Sequence, residues 1–355
     1  MGIGRLAALA VLIALPAQAQ DVPADLTALP APAEYAPPRT SWGDPDLTGT
    51  WPLEQINQSG ISFQRPEEYG ARVWLTDEEF AKRLARAEAS DAAYDPDNAR
   101  GSVGLADWVR AQSVAHRTSM LVSPADGRLP AMTAEAQALF KAGRSSWVPD
   151  QTYDWVDDFD PFDRCISRGM PASMLPFRYN NGIQIFQSPG FVVIHFEMLG
   201  DRLIPLRGAG HWPSQVESWL GSSVGHWEGD TLVVETANIH PGDNATRDVV
   251  HRAASPINQQ TQGAPPFNSI PISAQAKVAE RFILTGPDSL TYELTYSDPQ
   301  VFTAPWTARI DWTRDDKYQL FEYACHEGNV QIRNYITASR RRRAAEAAGL
   351  PPAGQ

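Results

Sequence analysis

The residues able to move protons cluster in the second half of the chain. In Val278 to Leu284 the acid Glu280 alternates with Val278, Phe282 and Leu284, so in a strand all four share one face. That face is apolar. A carboxylate buried there has a raised pKa and is suited to proton exchange near neutral pH, or else it is a structural acid held by a buried Arg or Tyr. In Phe191 to Glu197, His195 and Glu197 share a face with Phe191 and Val193, and they are expected to point inward as an acid/base pair or as two metal ligands.

A zinc site needs more than two ligands at i, i+2, and His211, His226 and His326 qualify only by residue type. No metal and no cofactor is therefore expected. Cys325-His326-Glu327-Gly-Asn329 follows an expected last strand, where His326 is either a general base at the mouth of the fold or a histidine that hydrogen-bonds a turn. Two stripes, Leu290/Tyr292/Leu294/Tyr296 and Trp306/Ala308/Ile310/Trp312, turn aromatic rings to one side. Tyr292, Tyr296, Trp306, Trp312 and Trp227 are candidate ligand contacts, although stripes of this kind also serve plain packing. The chain has no Gly-x-Ser-x-Gly elbow, Gly-rich phosphate loop, His-Glu-x-x-His or Cys-x-x-Cys, which disfavours serine hydrolase, nucleotide, zincin and dithiol redox chemistry.

These residues need a frame, and the frame reads as antiparallel sheet. From Ile183 onward short alternating runs are broken by turn residues at close intervals: Ile183–Gln187, Phe191–Glu197, Leu203–Leu206, Trp219–Trp227, Thr231–Ala237, Val278–Thr285, Leu290–Ser297, Thr307–Thr313 and Leu320–Tyr323. Hairpins are expected at Glu228-Gly-Asp230, Gly286-Pro-Asp288 and Asp315-Asp-Lys317. Meandering strands without intervening helices predict a mainly β fold, an antiparallel barrel or sandwich, and closure into a barrel would remove exposed edges. Trp42 to Trp51, with Gly49 two residues before Trp51, resembles the opening strand of lipocalin-like (calycin-like) barrels.

Upstream, Thr76 with Glu79 forms a capping box that opens a helix from about Asp77 to Ser90. Thr133 opens a second helix through Ala142, stopped by Gly143. A C-terminal helix is expected over Ile336–Ala348, and its basic run Arg340 to Arg343 reads as a solvated face. Asp243 to Pro271 reads as a long loop over the barrel mouth. The expected organisation is a signal peptide over 1–19, an extended Pro/Ala-rich leader over 20–41, a first strand with a helical, loop-rich elaboration over 42–160, the barrel core over 161–335, and a terminal helix and tail over 336–355.

The signal peptide rests on Arg5, the apolar run Leu6 to Leu15 and the small-x-small site ending at Ala19. That run is too short to span a bilayer, so no transmembrane segment and a periplasmic or secreted protein are expected. The formal net charge of −12 works against nucleic acid and anionic lipid as partners. In an oxidising compartment the two cysteines, Cys165 and Cys325, are either a disulfide closing a very long loop or two buried thiols.

Gly225-His-Trp-Glu-Gly-Asp-Thr-Leu-Val-Val-Glu-Thr236, Glu280-Arg-Phe282, Asp298-Pro299 with Pro305-Trp-Thr307, and Glu322-Tyr-Ala-Cys-His-Glu-Gly-Asn329 together resemble a large family of secreted bacterial proteins of unassigned function. Asp126-Gly-Arg-Leu-Pro130 and Arg164-Cys-Ile166 extend the resemblance over residues 120 to 340. It implies a shared fold and export, not a reaction. One departure is Arg207-Gly-Ala-Gly-His211, where the family tends to have Asp-Gly-Arg before a His.

The function expected from the residues is a periplasmic, cofactor-free acid/base enzyme, a lyase, isomerase or hydrolase. Glu280, Glu197, His326, His195 and His211 would act on a small apolar or aromatic molecule held in a barrel. The alternative is a non-catalytic carrier of a hydrophobic ligand, which needs the cavity but no convergent titratable groups.

Overall fold

A computed structural model describes residues 22–53, 61–92, 114–143, 146, 151–206, 208, 210–241 and 268–350. The expected signal peptide and most of the expected long loop, 242–267, lie outside the described residues. The strands are β1 (Gly49–Thr50), β2 (Leu121–Ser123), β3 (Ile183–Ser188), β4 (Phe191–Phe196), β5 (Asp201–Pro205), β6 (Ser222–Glu228), β7 (Thr231–Ala237), β8 (Lys277–Gly286), β9 (Ser289–Ser297) and β10 (Trp306–Thr313). They form two antiparallel sheets, a four-stranded one in the order β1-β3-β4-β5 and a six-stranded one in the order β2-β10-β9-β8-β7-β6. No ladder joins the sheets among the described residues.

The large sheet follows the alternation of its sequence. Val278, Glu280, Phe282 and Leu284 of β8 are buried on one face, as are the stripes of β9 and β10 that carry Tyr292, Tyr296, Trp306 and Trp312. Ile185, Val192, Ile194 and Ile204 of the small sheet meet these side chains in a single apolar core. At the seam between the sheets Ile204 and Leu206 press on Gly225 of β6, where a Cβ would lie only 2.9 Å from either side chain. The N-terminal half is woven into the same body, because β1 completes one sheet and β2 the other.

Helices stand where the capping signals put them. In α1 (Asp77–Ala92) Thr76 N–H donates to Glu79 Oε2 at 2.8 Å while Glu79 N–H donates to Thr76 Oγ1 at 3.3 Å. In α2 (Ala134–Ala142) the Thr133 side chain accepts from Ala136 N–H, and Gly143 ends the helix. A four-residue helix, α3 (Cys325–Gly328), precedes α4 (Gln331–Ala347). Among the described residues no helix is long and apolar enough to cross a membrane.

Three expectations need correction. Leu320–Tyr323 is not a strand, and Asp315-Asp-Lys317 is a turn without a hairpin. The backbone N–H of Phe321 and the hydroxyl of Tyr318 are taken up by the carboxylate of Glu197, so a side chain rather than a neighbouring strand fixes this stretch. The basic run of α4 is not merely solvated: Arg340 and Arg343 bind Asp154, and Arg342 reaches the Gln151 carbonyl, fastening 151–154 to the helix.

Cys165 and Cys325 are joined in a disulfide, with Cα atoms 5.7 Å apart. The bond ties the segment entering β3 to α3, a link with no ladder to support it. Replacing both cysteines with serine is expected to lower the unfolding free energy by about 2–5 kcal/mol in chemical denaturation. The Arg72 guanidinium holds the Glu79 carboxyl down at about 2 by paired hydrogen bonds of 2.6 and 2.8 Å. Because the folded-state value is depressed, this contribution is complete above the ordinary 4.5 and is lost as pH falls toward 2. Glu79→Gln should cost about 1 kcal/mol at pH 7 and flatten the stability curve across that acid window.

Candidate functional site

Glu280 is fully buried, and its carboxylate is saturated. Arg202 of β5 crosses from the small sheet and clamps it with two nitrogens, Nη1 at 2.8 Å from Oε1 and Nη2 against Oε2. Tyr292 donates its hydroxyl to Oε1 at 2.7 Å. The guanidinium is completed by Ser223 Oγ at 3.0 Å from Nε and Thr236 Oγ1 at 2.7 Å from Nη2. Thr236 and Tyr292 are diagonal neighbours of Glu280 on the flanking strands, so the ladder register delivers Tyr292 to the acid and Thr236 to the arginine that clamps it. Burial, with Glu280 beside it, pushes the Tyr292 hydroxyl well above its usual range. Every polar atom of the acid faces a donor, and no position is left for a substrate. The buried acid is thus the one held by an Arg and a Tyr together.

Glu197 is also committed. The β4 ladder ends at Phe196, and one residue later Glu197 accepts from Gly182 N–H at 2.7 Å, Tyr318 Oη at 2.7 Å, Phe321 N–H at 2.9 Å and Asn180 Nδ2 at 3.2 Å. Gly182 has no room for a side chain: a Cβ would lie 2.7 Å from Glu197 Oε2. The expected inward His195/Glu197 pair is not formed. Val192, Ile194 and Phe196 are the buried positions of β4, while His195 stands on the outer face beside Asp201, with Nδ1 2.6 Å from Oδ1. Apolar residues occupy both faces of β4, so alternation gives the two sets without saying which is inside. Glu197 is buried on the outer set because 318–321 folds across that end.

The remaining candidates disperse. His211 and His326 are exposed, and His226 lies on the surface of β6, 3.3 Å from Glu228. No group of three or more metal-ligating side chains occurs among the described residues. Tyr292 and Trp312 pack with ring centroids 4.9 Å apart, Tyr296 and Trp306 at 5.1 Å, and Phe282 and Phe63 close over them. These rings fill the core, and Trp227 packs half-buried against its edge.

A cleft of about 410 Å³ opens elsewhere, over the seam where β5 approaches β6, within the size range of small-molecule sites. Asp201, Leu203 and Pro205 form one wall, Trp212, Trp219 and Leu220 the other, and Ser222 and Ser223 lie between them. The second wall is a pinned loop. Asn238 donates to the carbonyls of Trp212 and Pro213, Trp212 N–H donates to Ser222 Oγ at 3.1 Å, and Ser218 N–H donates to the Asn238 carbonyl. Gly221 turns the loop into β6 at φ +70°, where a Cβ would meet Thr236 at 2.6 Å. Ser223 belongs to both the cleft and the buried network, so the ion pair fixes the cleft floor. Leu203 and Trp212 are 58% and 49% exposed, an unusual display of large apolar side chains facing one hollow.

Sequence reasoning missed Arg202 because the expected strand began at Leu203, two residues after the true start at Asp201; Arg202, Ile204 and Leu206 alternate inward, and extending the run would have set Arg202 toward the core. Trp212 and Trp219 carried no signal beyond their type. No family model, curated protein or solved structure matches this chain.

Glu280→Gln is expected to destabilise the fold by about 3–5 kcal/mol, since it leaves Arg202 buried with its counter-charge gone. The double variant Arg202→Met/Glu280→Leu should cost markedly less than the sum of the single changes in urea unfolding. Additive losses would mean the two side chains do not act as a pair.

Proposed function

We propose that this chain is an exported binding protein for a small apolar or aromatic molecule, held in the seam cleft between its two sheets. The observation that carries this reading is the pairing of Trp212 and Trp219 with Leu203 across a hollow of about 410 Å³, with serine hydroxyls between them. Largely apolar walls with a few polar groups suit the orientation of a small ligand. Both buried candidate acids, Glu280 and Glu197, are occupied by protein donors, which removes the interior groups the expected acid/base mechanism would have used.

The sheets are read as two parts of an incompletely closed, calycin-like barrel, in line with the Gly49 and Trp51 opening pattern and the motif resemblance. Export is supported by the Arg5 to Ala19 pattern and by a disulfide, which persists in oxidising compartments. An acidic chain of net charge −12 favours neutral or apolar ligands over polyanions.

The test is a fluorescence titration with the neutral aromatic probe N-phenyl-1-naphthylamine. Saturable binding is expected, weakened about tenfold or more by Trp212→Ala and by Leu203→Asp. Absence of saturable binding, or equal binding by both variants, would remove the cleft as the ligand site.

A second reading, an acid/base enzyme, is favoured by one contact. Asp201 lines the cleft and holds His195 Nδ1 at 2.6 Å, fixing the ring so that Nε2 is left to exchange protons. Under this reading His195→Ala abolishes consumption of a metabolite by the purified protein while leaving its melting temperature within about 2 °C of the parent. Turnover that survives the change would end it.

A further inference from the structure

Arg168 is a buried cation without a counter-charge. Its guanidinium lies over the Phe177 ring, 4.5 Å from the centroid, and Nη1 donates to the Leu175 carbonyl at 3.1 Å. Nε is enclosed and meets no acceptor, and no carboxylate among the described residues pairs with the side chain. Desolvation pulls the group down to about 9, still protonated at neutral pH. Arginine cannot escape burial by losing its proton as lysine does, so an isolated guanidinium needs compensation from something negative. The contrast with Arg202 is direct, since that side chain, equally buried, has Glu280 and two hydroxyls around it.

A cavity of about 20 Å³ adjoins Arg168. It has room for a monatomic ion or a water or two and not for an organic molecule. Ser173, Asn180 and Asn181 line it together with Leu53 and Met198. Phe196 and Met198 reach the cavity while Glu197 between them does not line it; its carboxylate is taken up by four donors, two of which, Asn180 and Gly182, border the cavity. Hydroxyl and amide groups beside an uncompensated cation, flanked by apolar side chains in a partly open hollow, suit a weakly hydrated anion better than a neutral molecule.

We propose that this cavity is a binding site for a halide-sized monovalent anion, chloride in physiological media, which neutralises Arg168. The ion would join the 165–182 segment, already tied at Cys165, to the end of β4 at Phe196 and to Met198 just beyond it. Leu199 lies between this cavity and the seam cleft and lines both, so the ion also steadies one end of the cleft. The site stands whether or not the cleft binds a ligand.

The experiment joins two measurements on the purified protein. Crystals soaked in bromide are expected to give an anomalous peak beside Arg168. Thermal melts at fixed ionic strength should rise by about 2–4 °C when chloride replaces gluconate in the millimolar range, and Arg168→Gln should abolish the rise. Identical melts in the two salts overturn the proposal, and a bromide peak without that dependence is then binding at crystal concentration only. A crystal with no peak beside Arg168 overturns it as well, including where Arg168→Gln fails to fold.

Discussion

The Arg202–Glu280 pair is the constraint around which the two sheets are organised. One partner comes from the small sheet and the other from the middle of the large one, and both are removed from water. Two buried charges cost several kcal/mol each to desolvate, so such a pair is tolerated only where geometry and extra hydrogen bonds are nearly complete. Ser223, Thr236 and Tyr292 supply those bonds from β6, β7 and β9 of the large sheet, on both sides of the strand that carries Glu280. The arrangement is specific: slipping β5 by one residue along the seam would expose Arg202 and bury Leu203, leaving Glu280 without a partner. Apolar packing alone does not penalise such slips so sharply, which is why an ion pair at this place sets the relation between the sheets.

The cleft follows from the same geometry. The close approach of Ile204 and Leu206 to Gly225 brings the sheets together below, while Arg202 reaches inward and Leu203 is left facing out. The chain leaving β5 must return to start β6, and it does so as the pinned loop that carries Trp212 and Trp219. The hollow is thus bounded by a strand edge on one side and a hydrogen-bonded loop on the other, with the ion-pair network as its floor. The loop wall is held by the protein's own hydrogen bonds, and a wall held in this way leaves a binding site little ordering to do.

Two buried arginines illustrate opposite ways of carrying charge indoors. Arg202 is neutralised by a fixed acid and has a structural role that no small ion could replace. Arg168 is surrounded by an aromatic face, a carbonyl and a small polar cavity, a setting that can exchange its compensating partner with solvent. The difference matters for function because only the second can respond to the medium.

What the chain determined locally is considerable. Period-two alternation over Val278–Leu284 and the aromatic stripes gave β8 to β10 and their buried faces, and the Thr76/Glu79 and Thr133 caps placed two helices, because these signals act between residues near in sequence. The partner of Glu280, the burial of Glu197 under 318–321 and the existence of the cleft were decided by the tertiary structure alone. Each depends on segments from different parts of the sequence meeting in space. In β4, apolar on both faces, the sequence allowed either side to be the interior, and only packing against the large sheet resolved that the face carrying His195 is the outer one.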